Sequence, residues 1–127
     1  MSNQELMKNL EKIINKSFIL AGAGKLSKED VKLIAEKVPD IKVLIKQFSP
    51  LNEFEDKIFQ MITIIKKFSS GKEITQSWET VSACAFVIGY MMQDVDLIPD
   101  FVEDIGELDD LLVVKVMLEL FHDEFYL

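Results

Sequence analysis

Tyr90-Met-Met-Gln-Asp-Val-Asp-Leu-Ile-Pro-Asp-Phe-Val-Glu-Asp-Ile-Gly-Glu-Leu-Asp-Asp110 joins two strongly apolar runs through an acidic segment punctuated by Pro99 and Gly106. Upstream, the pattern from about Ile74 to Gln93 becomes apolar nearly all round from Val81 onward. Downstream, Leu108 to Phe121 does the same. Helices that are apolar on every side belong in the middle of a bundle. The two runs are therefore predicted to form a central hairpin of long helices, with the acidic stretch as its connection.

The rest of the chain supplies amphipathic covers for that hairpin. Leu6, Leu10, Ile13, Ile14 and Phe18 recur at helical spacing, and Glu5, Lys8, Glu11, Lys12 and Lys16 take the other side, which predicts one first helix. Ala21-Gly22-Ala23-Gly24 is expected to close it, since glycine adopts the left-handed conformation that ends helices. Ser27 is an N-cap candidate for a second helix with Val31, Ile34, Ala35 and Val38 inward, and Pro39 limits its length. A third helix is expected over about Ile41 to Phe48. Asn52 is expected to cap a fourth, with Phe54, Ile58, Met61, Ile62, Ile65 and Phe68 on one stripe, ended by Ser69-Ser70-Gly71. No segment alternates with period two between turn signals, and no repeat is visible. The fold class is all-α: residues 1–127 as a single-domain bundle of five or six helices.

Composition narrows the function. Eight carboxylates (Asp94, Asp96, Asp100, Glu103, Asp104, Glu107, Asp109, Asp110) and no lysine fall between 94 and 110, so this segment alone accounts for the formal net charge of -8. The remainder balances 14 acids against 14 lysines. The chain has no arginine, and with a pI near 4.6 this speaks against nucleic-acid binding, which relies on cationic surface and the guanidinium fork. The first residues show no signal-peptide pattern, and the longest apolar run, Ala83 to Met92, is shorter than the roughly 20 residues a spanning helix needs. The expectation is a cytoplasmic protein. Cys84 is the single cysteine, which excludes an internal disulfide, and its apolar neighbours make it a buried hydrophobe.

Asp96-Leu97-Ile98-Pro99-Asp100, then Gly106 and Asp109-Asp110, resemble the signature of the YkvA-like family, the domain of unknown function numbered 1232. The resemblance lies within about residues 90–113 of a motif region spanning about 74–121. Asp94 and Glu103 stand where that family commonly has proline. The resemblance implies a helical bacterial or archaeal domain, in a family with no established common activity and with some members associated with membranes.

The motif reads in two ways. In the structural one, Asp96 accepts backbone N–H bonds at the end of the fifth helix, Pro99 sets a turn, and Leu97, Ile98, Phe101 and Ile105 anchor the connection to the core. Gly106 then allows the next reversal, and Asp109 and Asp110 sit in the first turn of the last helix, where negative charge complements the dipole by about 0.3–1 kcal/mol each if exposed. In the other reading, Asp96, Asp100, Asp109 and Asp110 converge on Mg²⁺, Mn²⁺ or Ca²⁺, since hard cations take several carboxylate oxygens. The spacing is not that of an EF-hand loop.

His122, the single histidine, has no second nitrogen or sulfur ligand near it in sequence and reads as a surface residue. No serine has a glycine-framed nucleophile elbow. Trp78 reads as filling a core edge, and Met91, Met92 and Met117 as core fillers that could also line an adaptable groove.

With no catalytic constellation visible, the leading expectation is a small acidic binding protein that needs no cofactor. It would engage a basic protein partner through Glu103, Asp104 and Glu107, as an immunity-type or regulatory inhibitor. The alternatives are a metal-dependent phosphate-ester hydrolase using the four aspartates, and peripheral membrane association through residues 1–72, which hold 13 lysines against nine acids.

Overall fold

The computed structural model describes residues 3–46, 48–92 and 108–126, and among them every regular element is a helix. In chain order these are α1 (Asn3–Glu11), α2 (Lys16–Gly24), α3 (Lys28–Lys37), α4 (Ile41–Leu44), α5 (Ser49–Asn52), α6 (Glu55–Ser69), α7 (Trp78–Met92), α8 (Leu108–Leu120) and α9 (His122–Phe125). Nine helical segments thus stand among the described residues where five or six were expected. Three of them, α4, α5 and α9, are single turns of four residues.

The predicted first helix is two. Its register breaks at residues 12–15, where Asn15 leaves helical geometry and its Oδ1 accepts the Phe18 N–H at 3.2 Å, giving α2 its own N-cap. Nor do the glycines that follow end α2 by a left-handed turn. Gly22 and Gly24 lie inside the helix, and its C-cap is Lys25 in right-handed geometry. Gly22 answers to packing instead: a Cβ there would lie 2.1 Å from Cε1 of Phe86 on α7. The missing side chain lets α2 seat against α7, with Phe18 edge-on to Phe86 at 5.5 Å between ring centroids.

Ser27 caps α3 as expected, and does so reciprocally. Its Oγ accepts the Asp30 N–H, and the Asp30 carboxylate accepts the Ser27 N–H at 2.9 Å, which satisfies two donors at the helix start. The predicted third helix stops at Leu44, short of Phe48, because Lys46 turns to φ 56°, outside helical geometry. Asn52 is not the cap of the long helix that follows. It ends α5, and α6 begins at Glu55 after Phe54, which offers no side-chain cap. Ser69-Ser70-Gly71 does close α6, with Gly71 at φ 75° supplying the left-handed residue. Lys42 and Glu55, 2.8 Å apart, tie α4 to α6, and the Glu55 hydrogen bond raises the pKa of the Lys42 ammonium.

All nine helices contribute to one cluster of buried side chains, and α7 runs through it. Every residue from Thr80 to Met91 is buried. Around α7 pack α2, α3, α6 and α8. Burying a side chain such as Phe86, Ile88 or Met91 contributes about 1.5–3 kcal/mol each, so among the described residues this helix is the largest apolar commitment. Among the described residues no helix is long and apolar enough to cross a membrane.

Candidate functional site

The end of α7 and the start of α8 bring together the parts of the sequence motif that are described. Asp109 and Asp110 occupy the first turn of α8, as predicted, and both are buried there. They are 6% and 1% accessible. A carboxylate taken out of water needs partners of its own. The Tyr90 hydroxyl, from the last turns of α7, donates to Asp109 Oδ2 at 3.1 Å. The Lys46 ammonium approaches Asp110 Oδ2 at 3.4 Å.

Lys46 reaches Asp110 from the link after α4, across 64 residues of sequence. Its φ of 56° is the one left-handed backbone angle outside glycine among the described residues. For an L-residue that conformation costs roughly 1–2 kcal/mol. The turn it makes ends α4 and carries the lysine to the start of α8. The side chain of Lys46 keeps 33% of its surface in water while that of Asp110 keeps 2%, so the pair is one-sided: a buried anion met by a cation on the rim. Nothing local in the sequence marks Lys46, which reads as one more polar position on a short amphipathic helix.

Beside this pair, Lys37, Pro39, Val43, Lys46, Met91 and Met92 line an open cavity of about 390 Å³. Met91 is buried and Met92 half-buried at its wall, so the methionine pair serves core and groove together. Phe18 packs edge-on to Tyr90 at 5.9 Å and holds the ring whose hydroxyl meets Asp109. The side chains that meet Asp109 and Asp110 or hold those partners come from α2, the link after α4 and α7, and α3 and α4 add walls to the cavity.

Of the four aspartates expected to converge on a cation, Asp109 and Asp110 are adjacent here, whereas Asp96 and Asp100 lie outside the described residues. So do Glu103, Asp104 and Glu107, together with the expected anchors Leu97, Ile98, Phe101 and Ile105 and the expected turn at Gly106. Among the described residues no three His, Cys, Asp or Glu side chains are grouped to hold a metal.

His122 is exposed, stacks on Tyr126 at 4.7 Å and lies 3.7 Å from Asp123. Nearby, Thr80 Oγ1 donates to Glu124 Oε2 at 2.6 Å and Lys57 donates to the Phe125 carbonyl, so α9 is fastened to both α7 and α6. Trp78 stands at the core edge, tilted against Phe68.

Cys84 is fully buried in the middle of α7. Desolvation, reinforced by the negative charge of Glu124, pushes its thiol pKa well above the ordinary range. The neutral thiol is the form the fold holds, so this contribution to stability is complete below the unfolded value of about 8.5 and is lost as pH rises past it. Native protein should therefore resist an aromatic disulfide reagent at pH 8 and release one thiol equivalent once denaturant unfolds it. Fast labelling of the native state would place Cys84 at the surface.

No curated protein and no solved structure matches the chain. Its resemblance to a known family rests on one segment: residues 80–116, which begin in the first turn of α7 and end within α8, match the family described as a protein of unknown function (DUF1232).

Proposed function

We propose that this is a small acidic binding protein that engages a basic protein partner through the connection between α7 and α8, in a cytoplasmic setting. The observation that carries the reading is the charge distribution: residues 94–110 hold eight carboxylates and no lysine, while the other acids and lysines balance. Solubility would be served by scattered charge. A block of one sign steers encounter with a partner of the other.

The geometry of Asp109 and Asp110 supports a division of labour. These two are turned inward and engaged by Tyr90 and Lys46, so they anchor the end of the connection. Recognition falls to the acids between the anchors, above all Glu103, Asp104 and Glu107. The same geometry counts against the metal-dependent hydrolase, since Asp110 already faces an ammonium group where a divalent ion would need its oxygens.

The finer architecture belongs to this proposal. Tyr90 meets Asp109 at one end of α7 and Thr80 meets Glu124 at the other, so we infer that α8 runs back along α7 as the second arm of a central hairpin. The acidic connection is then its tip.

Immobilised protein should retain a lysine- or arginine-rich protein from its native cell, and retention should fall as salt rises from about 0.05 to 0.5 M, because rim charges are screened. Glu103→Gln, Asp104→Asn and Glu107→Gln together should weaken capture with an unchanged melting temperature. Capture that survives both the triple change and high salt would overturn the reading. A melting temperature that climbs with Mg²⁺, Mn²⁺ or Ca²⁺, and stops doing so in Asp110→Asn, would replace it with the metal-dependent one.

A further inference from the structure

We propose that the chain pairs with a second copy of itself through the seam between residues 11–16 and α8, with Ile13 of each copy entering the seam of the other. The seam is an open cavity of about 370 Å³. Its floor is apolar: Ile14 and Leu112 are buried and Val116 is half-buried. Its rim is charged, with Glu11 and Lys16 on one side and Lys115 and Glu119 on the other.

An apolar hollow open to water is surface that an aliphatic side chain from outside can fill, and the same link supplies one. Ile13, one residue before the floor residue Ile14, keeps 48% of its surface in water. A knob and a socket carried next to each other on one chain are what an isologous pair requires, since each copy then gives and receives the same contact.

The rim decides which partner fits. Lys16 and Glu119 approach to 3.5 Å, joining α2 to α8 beside the cavity. Glu11 and Lys115 are exposed, of opposite sign and on opposite sides of the cavity, and among the described residues neither has an ion-pair partner. Turned about a two-fold axis, Glu11 of one copy meets Lys115 of the other, and the same pair forms a second time. A wholly acidic or wholly basic partner would find half of this rim repulsive. A second copy finds all of it complementary. Net charge agrees with the place: each copy carries -8, which repels another, but that excess lies in residues 94–110, whereas the four charges of the seam cancel. The pairing is independent of what the acidic connection binds.

Sedimentation equilibrium from about 1 to about 200 µM should show monomer passing to dimer. Ile13→Asp should weaken association about thirty-fold or more, the loss expected for a central apolar anchor, and leave the melting temperature of dilute protein within about 2 °C, because the residue is half exposed. Glu11→Lys and Lys115→Glu should each weaken pairing about ten-fold or more by placing like charges opposite one another. An equimolar mixture of these two variants should pair again, since the basic rim of one then faces the acidic rim of the other. A chain still monomeric at the top of the concentration range would overturn the proposal, as would a dimer that Ile13→Asp leaves unchanged, or a mixture that pairs no better than either charge variant alone. So would a monomer whose Ile14 and Leu112 methyl signals shift with butanol, which would make the cavity a small-ligand site.

Discussion

Gly22→Val should lower the stability of the domain by about 3 kcal/mol or more, the upper part of the range for forcing extra volume into a packed core. For a chain of this length that corresponds to a loss of about 10 °C in melting temperature. The cause is contact with a ring that has nowhere to go. A Cβ at Gly22 would sit 2.1–2.5 Å from three atoms of Phe86, and that ring is 1% exposed and pinned by Phe18 and Tyr90. Gly24 provides the contrast two residues on. Nothing lies within 4 Å of a Cβ there, so Gly24→Ala should be neutral or stabilising by about 0.5 kcal/mol, as expected for replacing glycine in a helix. Phe86→Leu should hurt less in a Gly22→Ala background than in the wild type, because the smaller side chain makes room for the methyl group. Equal melting temperatures for the two glycine variants would remove the packing argument.

The second large effect is an asymmetry. Breaking an ion pair by removing one partner is costly when the remaining charge is buried, about 3–5 kcal/mol for a fully buried pair. Here one partner is buried and the other is a third exposed. Lys46→Met takes the Lys46 ammonium away from the buried Asp110 carboxylate and should cost about 2–3 kcal/mol, discounted for the water Lys46 already reaches. Asp110→Asn leaves a lysine that can swing outward and a near-isosteric amide, and should cost about 1 kcal/mol. Methionine at position 46 meets the same left-handed backbone as lysine, so that penalty cancels in the comparison. The double variant should be more stable than Lys46→Met alone. Chemical denaturation of the three proteins decides it, and Lys46→Met no worse than Asp110→Asn would show that the pair does not carry the burial of Asp110.

How far the sequence foretold this depended on whether a signal was local. The all-helical class, the Ser27 cap, the end of α6 at Gly71 and the burial of α7 follow from periodicity and capping chemistry within a few residues. Gly22 and Gly24 carried the standard mark of a helix end. What decided Gly22 was Phe86, more than 60 residues away, and local pattern holds no record of such a neighbour. The place of Asp109 and Asp110 was legible, but their burial was not, for the same reason. Acidic residues in a first turn read as complements of the helix dipole, and only the approach of Lys46 and Tyr90 shows that they face inward. The split of the first helix was legible in principle, since Asn15 is a good N-cap, but the apolar spacing ran through it and outweighed the cap.

A helix buried on every side also has a history in time. Three of the partners that cover α7, namely α2, α3 and α6, precede it in the chain, whereas α8 follows it. As the protein is synthesised at about 5–20 residues per second, the 28 residues that follow Met92, up to and including Leu120, take roughly one to six seconds, and one apolar face of α7 stays bare throughout. The nascent chain is most prone to self-association in that interval, and the charged connection is the first part to be made after α7. Its carboxylates emerge just when a sticky surface needs repulsion between neighbouring chains.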